Sequence, residues 1–220
     1  MNKLLTAALA LSVACVTTVA LAQDLKGDAA AGKAKASMCI GCHGIPEYKA
    51  SFPEVYEVPK LAGQGAGYIE AALHEYKKGE RRFPTMRAIA APLTDQDIAD
   101  LAAYYSTQAG PAQKLPPKPN IEPGPKVAAI LAKANCAACH GANFSTPIAP
   151  TYPELAGQHA SYLLAALRQY KTKGNPNFGR GNPIMGGMVA TLSDADLKAL
   201  ADYIGSLDGN LKTVAESRFQ

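Results

Sequence analysis

Apolar residues recur at helical spacing in several stretches of the chain, and these stretches form two matched sets. Helix formers dominate from Asp28 to Met38 and predict a short first helix. Tyr68, Ala71, Ala72, Glu75 and Tyr76 carry the 3.6-residue period through Tyr68 to Lys78. Ile98, Leu101, Ala102 and Tyr105 share one face of a helix predicted over Asp95 to Ser106, with Tyr104 beside it. Thr94-Asp95-Gln96-Asp97 supplies that helix with an N-cap and an acidic first turn. Between these helices, Ile45 to Pro59 and Gly79 to Arg87 are punctuated by proline and glycine and read as loops. No stretch alternates apolar and polar residues as a half-buried strand would, so the predicted fold class is all-α.

The same order returns in the second half. Lys126 to Asn135 predicts an entry helix, and Pro153-Glu154-Leu155-Ala156-Gly157-Gln158 matches Pro59-Lys60-Leu61-Ala62-Gly63-Gln64 at a shift of 94. Tyr162 and Tyr170 match Tyr68 and Tyr76 at the same shift, whereas Ser193-Asp194-Ala195-Asp196 matches Thr94 to Asp97 at 99. The extra length falls in the loop Lys171 to Pro183, so the elements align and the loops absorb the differences. Pro111, Pro116, Pro117, Pro119, Pro123 and Pro125 stand between the halves in an extended, semi-rigid connector. The expected division is a leader 1–22, a first domain 23–110, a linker 111–124, a second domain 125–208 and a tail 209–220.

Charge and composition narrow the function. A formal net charge of +4, with no run of Lys or Arg, argues against a nucleic-acid partner. Residues 24–110 carry 10 Lys+Arg and 11 Asp+Glu, net −1, whereas residues 125–220 carry 9 and 6, net +3. The two domains are therefore expected to favour different charged partners. Lys3, the apolar stretch Leu4 to Val19 and Ala20-Leu21-Ala22 have the form of a secretory signal cleaved after Ala22, which implies export to the periplasm. Alternative readings of this stretch are a membrane anchor or a lipoprotein signal with Cys15 lipidated. A peripheral association with a membrane stays open.

The chemistry is carried by Cys39-Ile40-Gly41-Cys42-His43 and Cys136-Ala137-Ala138-Cys139-His140, offset by 97. C-x-x-C-H is the attachment signature of c-type haem: two thiols form thioethers with the vinyl groups, and the adjacent histidine reaches the iron. The chain has 5 Cys, and apart from Cys15 all lie in these pentads. An exported chain with no cysteine left for a disulfide is otherwise unusual, and thioether capture accounts for it. A thioredoxin-like reading would need a βαβ setting, and a zinc site would find only three nearby ligands in each half. Two haem c groups, with their iron, are the expected cofactors.

His43 and His140 would each take one axial position on the iron, and the other could be His, Met or open. The remaining histidines do not correspond between the halves, since His74 aligns with Arg168 and His159 with Gly65 at the 94 shift; both read as surface residues. Met86 and Met185 do correspond, each eight residues before the cap of the last helix and each in a loop following a proline. A packing role is the commoner fate of methionine, but the matched positions favour ligation here. Met188 competes with Met185, yet its counterpart is Ile89, which cannot ligate, so Met188 reads as packing.

Pentad, P-x-L-A-G-Q, loop methionine, [ST]-D-x-D and a final helix bearing tyrosine together resemble class I cytochrome c, over nearly all of residues 24–208. The duplication, proline-rich connector and leader resemble the dihaem cytochromes of the c4 type. The resemblance implies two tandem cytochrome c domains, His/Met ligation in each, and periplasmic electron transfer without catalysis. It implies redox proteins as donor and acceptor, such as a quinol–cytochrome c reductase and a terminal oxidase or a periplasmic dehydrogenase. It also implies that entry and final helices cross at a small residue on an aromatic, Gly32 on Tyr104 and Ala129 on Tyr203. Glu47 to Val58 and the tail 209–220 depart from the pattern. A dihaem peroxidase-like enzyme, or a subunit docked permanently on a dehydrogenase or oxidase, are the competing readings; the tail Leu211 to Gln220 is the feature that hints at the latter.

Overall fold

Helix α1 (Ala29–Lys35) starts where Asp28 caps it, accepting from the backbone N–H groups of Ala30 and Ala31. The computed structural model describes residues 25–215, so the leader with Cys15 and the last residues of the tail lie outside the described residues. Ala36 ends α1, and α2 (Ser37–His43) follows at once, carrying the first pentad on its own turns. A two-residue antiparallel pair, β1 (Lys49–Ala50) and β2 (Tyr56–Glu57), interrupts the segment expected to be loop. It is too short to leave an alternating signature in the sequence. Helices α3 (Ala66–Lys78), α4 (Pro84–Ala90) and α5 (Asp95–Gln108) complete the first domain.

The second domain repeats this order with α6 (Pro125–Ala134), α7 (Ala137–His140), α8 (Ala160–Lys171), α9 (Pro183–Val189) and α10 (Asp194–Ser206). Both final helices open on the expected capping box: the Thr94 and Ser193 side chains accept from the backbone N–H groups of Asp97 and Asp196. In return, the Asp97 and Asp196 carboxylates accept from the cap N–H groups.

The helix crossing expected at small residues occurs in the first domain only. A Cβ on Gly32 would lie 2.0 Å from the Asp100 carbonyl oxygen and 2.7 Å from the Tyr104 Cβ, so α1 and α5 touch backbone to backbone. Ala129 is exposed instead, and α6 turns Val127, Ile130 and Leu131 toward the second core. In the second domain α6 therefore packs through these larger side chains and not through a small residue. The Tyr203 hydroxyl donates to the Ile121 carbonyl of the linker at 2.9 Å.

The proline-rich connector is extended and lies against the second domain. Asn143 donates to the Pro116 carbonyl at 2.9 Å, and the Asp208 N–H donates to the Asn120 side chain at 2.9 Å. The tail then returns to the first domain. Leu211 is buried, the Lys212 N–H donates to the Ala62 carbonyl at 2.9 Å, and Asn210 exchanges hydrogen bonds with the main chain of Gln113. The described part of the tail is thus a strap between the domains of this chain rather than a free docking arm. Among the described residues, no helix is long and apolar enough to cross a membrane.

The domains meet through their repeated P-x-L-A-G-Q segments. Gln64 accepts from the Glu154 N–H at 2.9 Å and donates to the Glu154 carbonyl at 3.0 Å. Gln158 does the same to Lys60, at 2.9 and 3.0 Å. The segment Glu47 to Val58, which departs from the family pattern, is part of this interface. Its Phe52 meets Phe178 edge to face, its Glu54 pairs with Arg168, and its Glu57 accepts from the Ser161 hydroxyl. His159, expected at the surface, is mostly buried in this interface, its Nδ1 3.2 Å from the Glu57 carboxylate.

Candidate haem sites

Each pentad is wound into a helical turn, which sets its two cysteines and its histidine close together. Cys39, Cys42, His43 and Met86 all line one cavity of about 420 Å³ in the first domain. Its wall is mostly apolar, with Leu61, Ile69, Leu101 and Tyr105 from the first core. Leu155, Tyr162 and Leu163 of the second domain close one side. The cavity lies within the size range of cofactor pockets, roughly 300–1,000 Å³.

The histidines are held alike. His43 Nδ1 lies 2.9 Å from the Pro59 carbonyl oxygen, and His140 Nδ1 lies 3.2 Å from that of Pro153. A carbonyl can only accept, so Nδ1 carries the hydrogen in both rings and Nε2 keeps the lone pair. Burial pushes both imidazoles below the usual histidine range, with the carbonyl hydrogen bond opposing it, and so favours the neutral form a metal needs. Such an orienting partner behind a ligating histidine fixes its ring angle. Cys39 and Cys136 are held above the usual thiol range by burial.

Met86 and Met185 sit on short helices rather than in loops, which corrects the sequence reading. Pro84 and Pro183 occupy the first turns of α4 and α9. Proline has no N–H to lose there, and its fixed φ suits a helix start, so the residue read as a loop marker is a helix opener. α4 packs on α3 and α9 on α8, which sets each methionine helix beside the long central helix of its domain. Met86 and Met185 are half-buried, whereas Met188, read as packing, is 44% exposed. In the second domain the structure places Cys136 and Cys139 half-buried and His140 buried.

Two buried guanidiniums escaped the sequence reading. Arg81 pairs with Glu75 and donates to the Tyr68 hydroxyl at 3.2 Å, stacked over Tyr68 and Tyr76. Arg180 donates to Gln169 at 3.2 Å and to the Tyr162 hydroxyl at 3.0 Å, over Tyr162 and Tyr170. The two arginines face each other in an antiparallel bridge between the domains. Each lies five residues before its methionine, a repeat that could have revealed them. Among the described residues, Arg180 has no carboxylate partner although it is only 6% exposed. A buried cation without a counter-anion is costly, so this corner suits the carboxylate side chains of a haem. Thiols, lone-pair imidazole, thioether, apolar wall and uncompensated cation together fit the group. Among the described residues, no three His, Cys, Asp or Glu side chains converge as a simple metal site would require.

The cytochrome c family model matches residues 29–109 and again 126–208. The chain belongs to the cytochrome c family, with two tandem domains and two c-type haems. It is similar to cytochrome c4 of Pseudomonas aeruginosa, 35% identical over 186 residues, covering 82% of this chain and 89% of that one. It is also 33% identical over 183 residues to a thiosulfate dehydrogenase electron acceptor of Stutzerimonas stutzeri, covering 78% of this chain and 80% of the relative. The crystal structure of reduced recombinant cytochrome c4 from Pseudomonas stutzeri superposes with a TM-score of 0.58 at 30% identity, covering 83% of this chain and all of that one. The protein is a dihaem electron carrier similar to cytochrome c4.

Proposed function

We propose that Cys39 and Cys42 bind one haem by thioethers and Cys136 and Cys139 the other, with His43 and Met86, and His140 and Met185, as the axial ligand pairs. The observation that carries this is the gathering of Cys39, Cys42, His43 and Met86 around one cavity, with His43 locked by Pro59. A haem iron between imidazole and thioether exchanges one electron at a raised potential, because the soft neutral sulfur favours the ferrous state. The chain supplies placement, burial and charge. Pro59 and Pro153 orient the imidazoles, the apolar wall excludes water, and Arg81 and Arg180 hold positive charge where the domains meet.

With both axial positions filled by the chain, no coordination position remains for a substrate, so the protein is a carrier and not an enzyme. Residues 23–110 and 125–208 act as the two redox units, joined by 111–124 and strapped by the tail. The leader 1–22 directs the chain to the periplasm and is removed after Ala22. Donor and acceptor are redox proteins. A quinol–cytochrome c reductase with a terminal oxidase is one pair, and the thiosulfate dehydrogenase electron acceptors among its relatives favour a periplasmic dehydrogenase as donor. The test is stopped-flow reduction of the full haem-loaded chain by a candidate dehydrogenase. Rapid, salt-sensitive one-electron transfer is expected, and rapid turnover of peroxide would overturn the carrier reading.

A further inference from the structure

Glu154 belongs to the second domain but stands in the wall of the first domain's cavity, with Cys39, Cys42, His43 and Met86. Its main chain is fixed there by the Gln64 amide, which bonds both its N–H and its carbonyl. One carboxyl oxygen, Oε2, is shut off from water and has no hydrogen-bond partner. Burial raises its pKa to about 7.

The other ionisable groups nearby are otherwise engaged. Lys60 donates its Nζ to the Gly157 carbonyl at 2.6 Å, Glu57 faces His159, and Arg81 pairs with Glu75. Lys35, also in the cavity wall, pairs with Asp97 and Asp100. Lys49 and the hydroxyls of Tyr48, Tyr56, Tyr68, Tyr76, Tyr105 and Tyr162 complete the charged and titratable lining, beside Cys39, Cys42 and His43. Among the described residues, none forms an ion pair with Glu154. A carboxyl in such a place has no local charge to fix its state, so a change of charge in the cavity decides it.

We infer that Glu154 is a proton-linked tuning residue for the first domain's haem, reached across the domain interface. This rests on the proposed haem site. When that site gains one electron from a reduced donor protein, the Glu154 carboxylate takes one proton from water; when the electron leaves to an acceptor, the proton returns. One negative charge enters and one positive charge follows it, so no net charge is added to the buried corner. The sign follows directly. Reduction removes positive charge beside Glu154, which raises its affinity for a proton, so protonation favours reduction and the first haem's potential falls as pH rises.

The test is spectroelectrochemical titration of each haem in the full haem-loaded chain from about pH 6 to about pH 8, the range around Glu154's raised value. The first haem's reduction equilibrium should weaken at least threefold across that range in the wild type. Glu154→Gln should abolish that dependence and hold the potential near the wild type's low-pH value, while the second haem keeps its profile. In the wild type, the reduced-minus-oxidised infrared spectrum should show a protonated carboxyl band that Glu154→Gln removes. A pH dependence that survives in Glu154→Gln, or that belongs to the second haem, overturns the inference. So does a wild type whose first haem is pH-flat or whose spectrum lacks the carboxyl band. A chain that incorporates no covalent haem overturns the underlying site as well, which distinguishes the two failures.

Discussion

Gln64 clasps Glu154 by both ends of its amide, and Gln158 returns the same clasp to Lys60 from the opposite domain. Both glutamines are nearly inaccessible, at 3% and 4% exposure. Four hydrogen bonds related by the internal duplication thus fix the relative position of the two electron sites. Replacing either glutamine by alanine strands a buried N–H and a buried carbonyl, at a cost of about 1–3 kcal/mol for each orphaned group. The double variant Gln64→Ala Gln158→Ala is expected to loosen the interface. Calorimetry should show one cooperative transition in the wild type and two separated ones in the double variant.

Gly32 and Ala129 hold the same place in the repeat but opposite environments. Gly32→Ala drives a methyl into the Asp100 carbonyl, and overpacking of this kind costs about 1–3 kcal/mol. Ala129→Gly at its exposed site should cost only the helix propensity difference, about 1 kcal/mol. Denaturant titration of the two variants checks the contrast, and equal effects would contradict the packing difference.

Asp100 gives the first domain an acid-sensitive contact that has no counterpart in the second. It accepts from the Asp28 N–H and from Gln96 at 2.8 Å each, and from Lys35 at 2.5 Å. Those hydrogen bonds, that of Lys35 foremost, hold its carboxyl below the usual aspartate range. Its stabilisation is therefore complete above the unfolded value, about pH 4, and is lost as pH falls through the depressed folded value. At the 99 shift Ala199 stands in its place in the second domain. On acidification, amide exchange should accelerate in α1 and α5 as Asp100 is protonated, and Asp100→Asn, uncharged at every pH, should raise that exchange already at neutral pH and remove this part of its acid dependence.

Leu211 anchors the strap that the tail throws over the first domain. It is 5% exposed, and its neighbour Lys212 bonds the Ala62 carbonyl. Leu211→Ala is expected to cost about 2–4 kcal/mol as a buried leucine truncation. Chemical denaturation measures it, and limited proteolysis should then cut the tail earlier than in the wild type.

The duplication made much of this structure readable in advance. Helical periods placed α3 and α5, the Thr94 and Ser193 signals placed the final helices, and the pentads with Met86 named groups that the fold brings round one cavity. What escaped was decided by contacts distant in sequence. Pro84 looks the same in a loop and at a helix start, and only packing of α4 on α3 separates the two. Ala129 matched Gly32 in register, but it is exposed and α6 meets the second core through Val127, Ile130 and Leu131. Glu47 to Val58 read as an odd loop because its partners Phe178, Arg168 and Ser161 lie more than a hundred residues away. His159 and Glu154 have no counterpart chemistry in the other half, so the repeat could not reveal them.

Met86 and Met185 are proposed to complete the two iron sites, and optical spectra of Met86→Ala and Met185→Ala in the oxidised, haem-loaded chain test that assignment most directly. Each single variant should lose its share of the long-wavelength thioether-to-iron band, the double variant should lose all of it, and the affected haem's potential should fall. An undiminished band in either single variant would contradict that residue's assignment as a ligand.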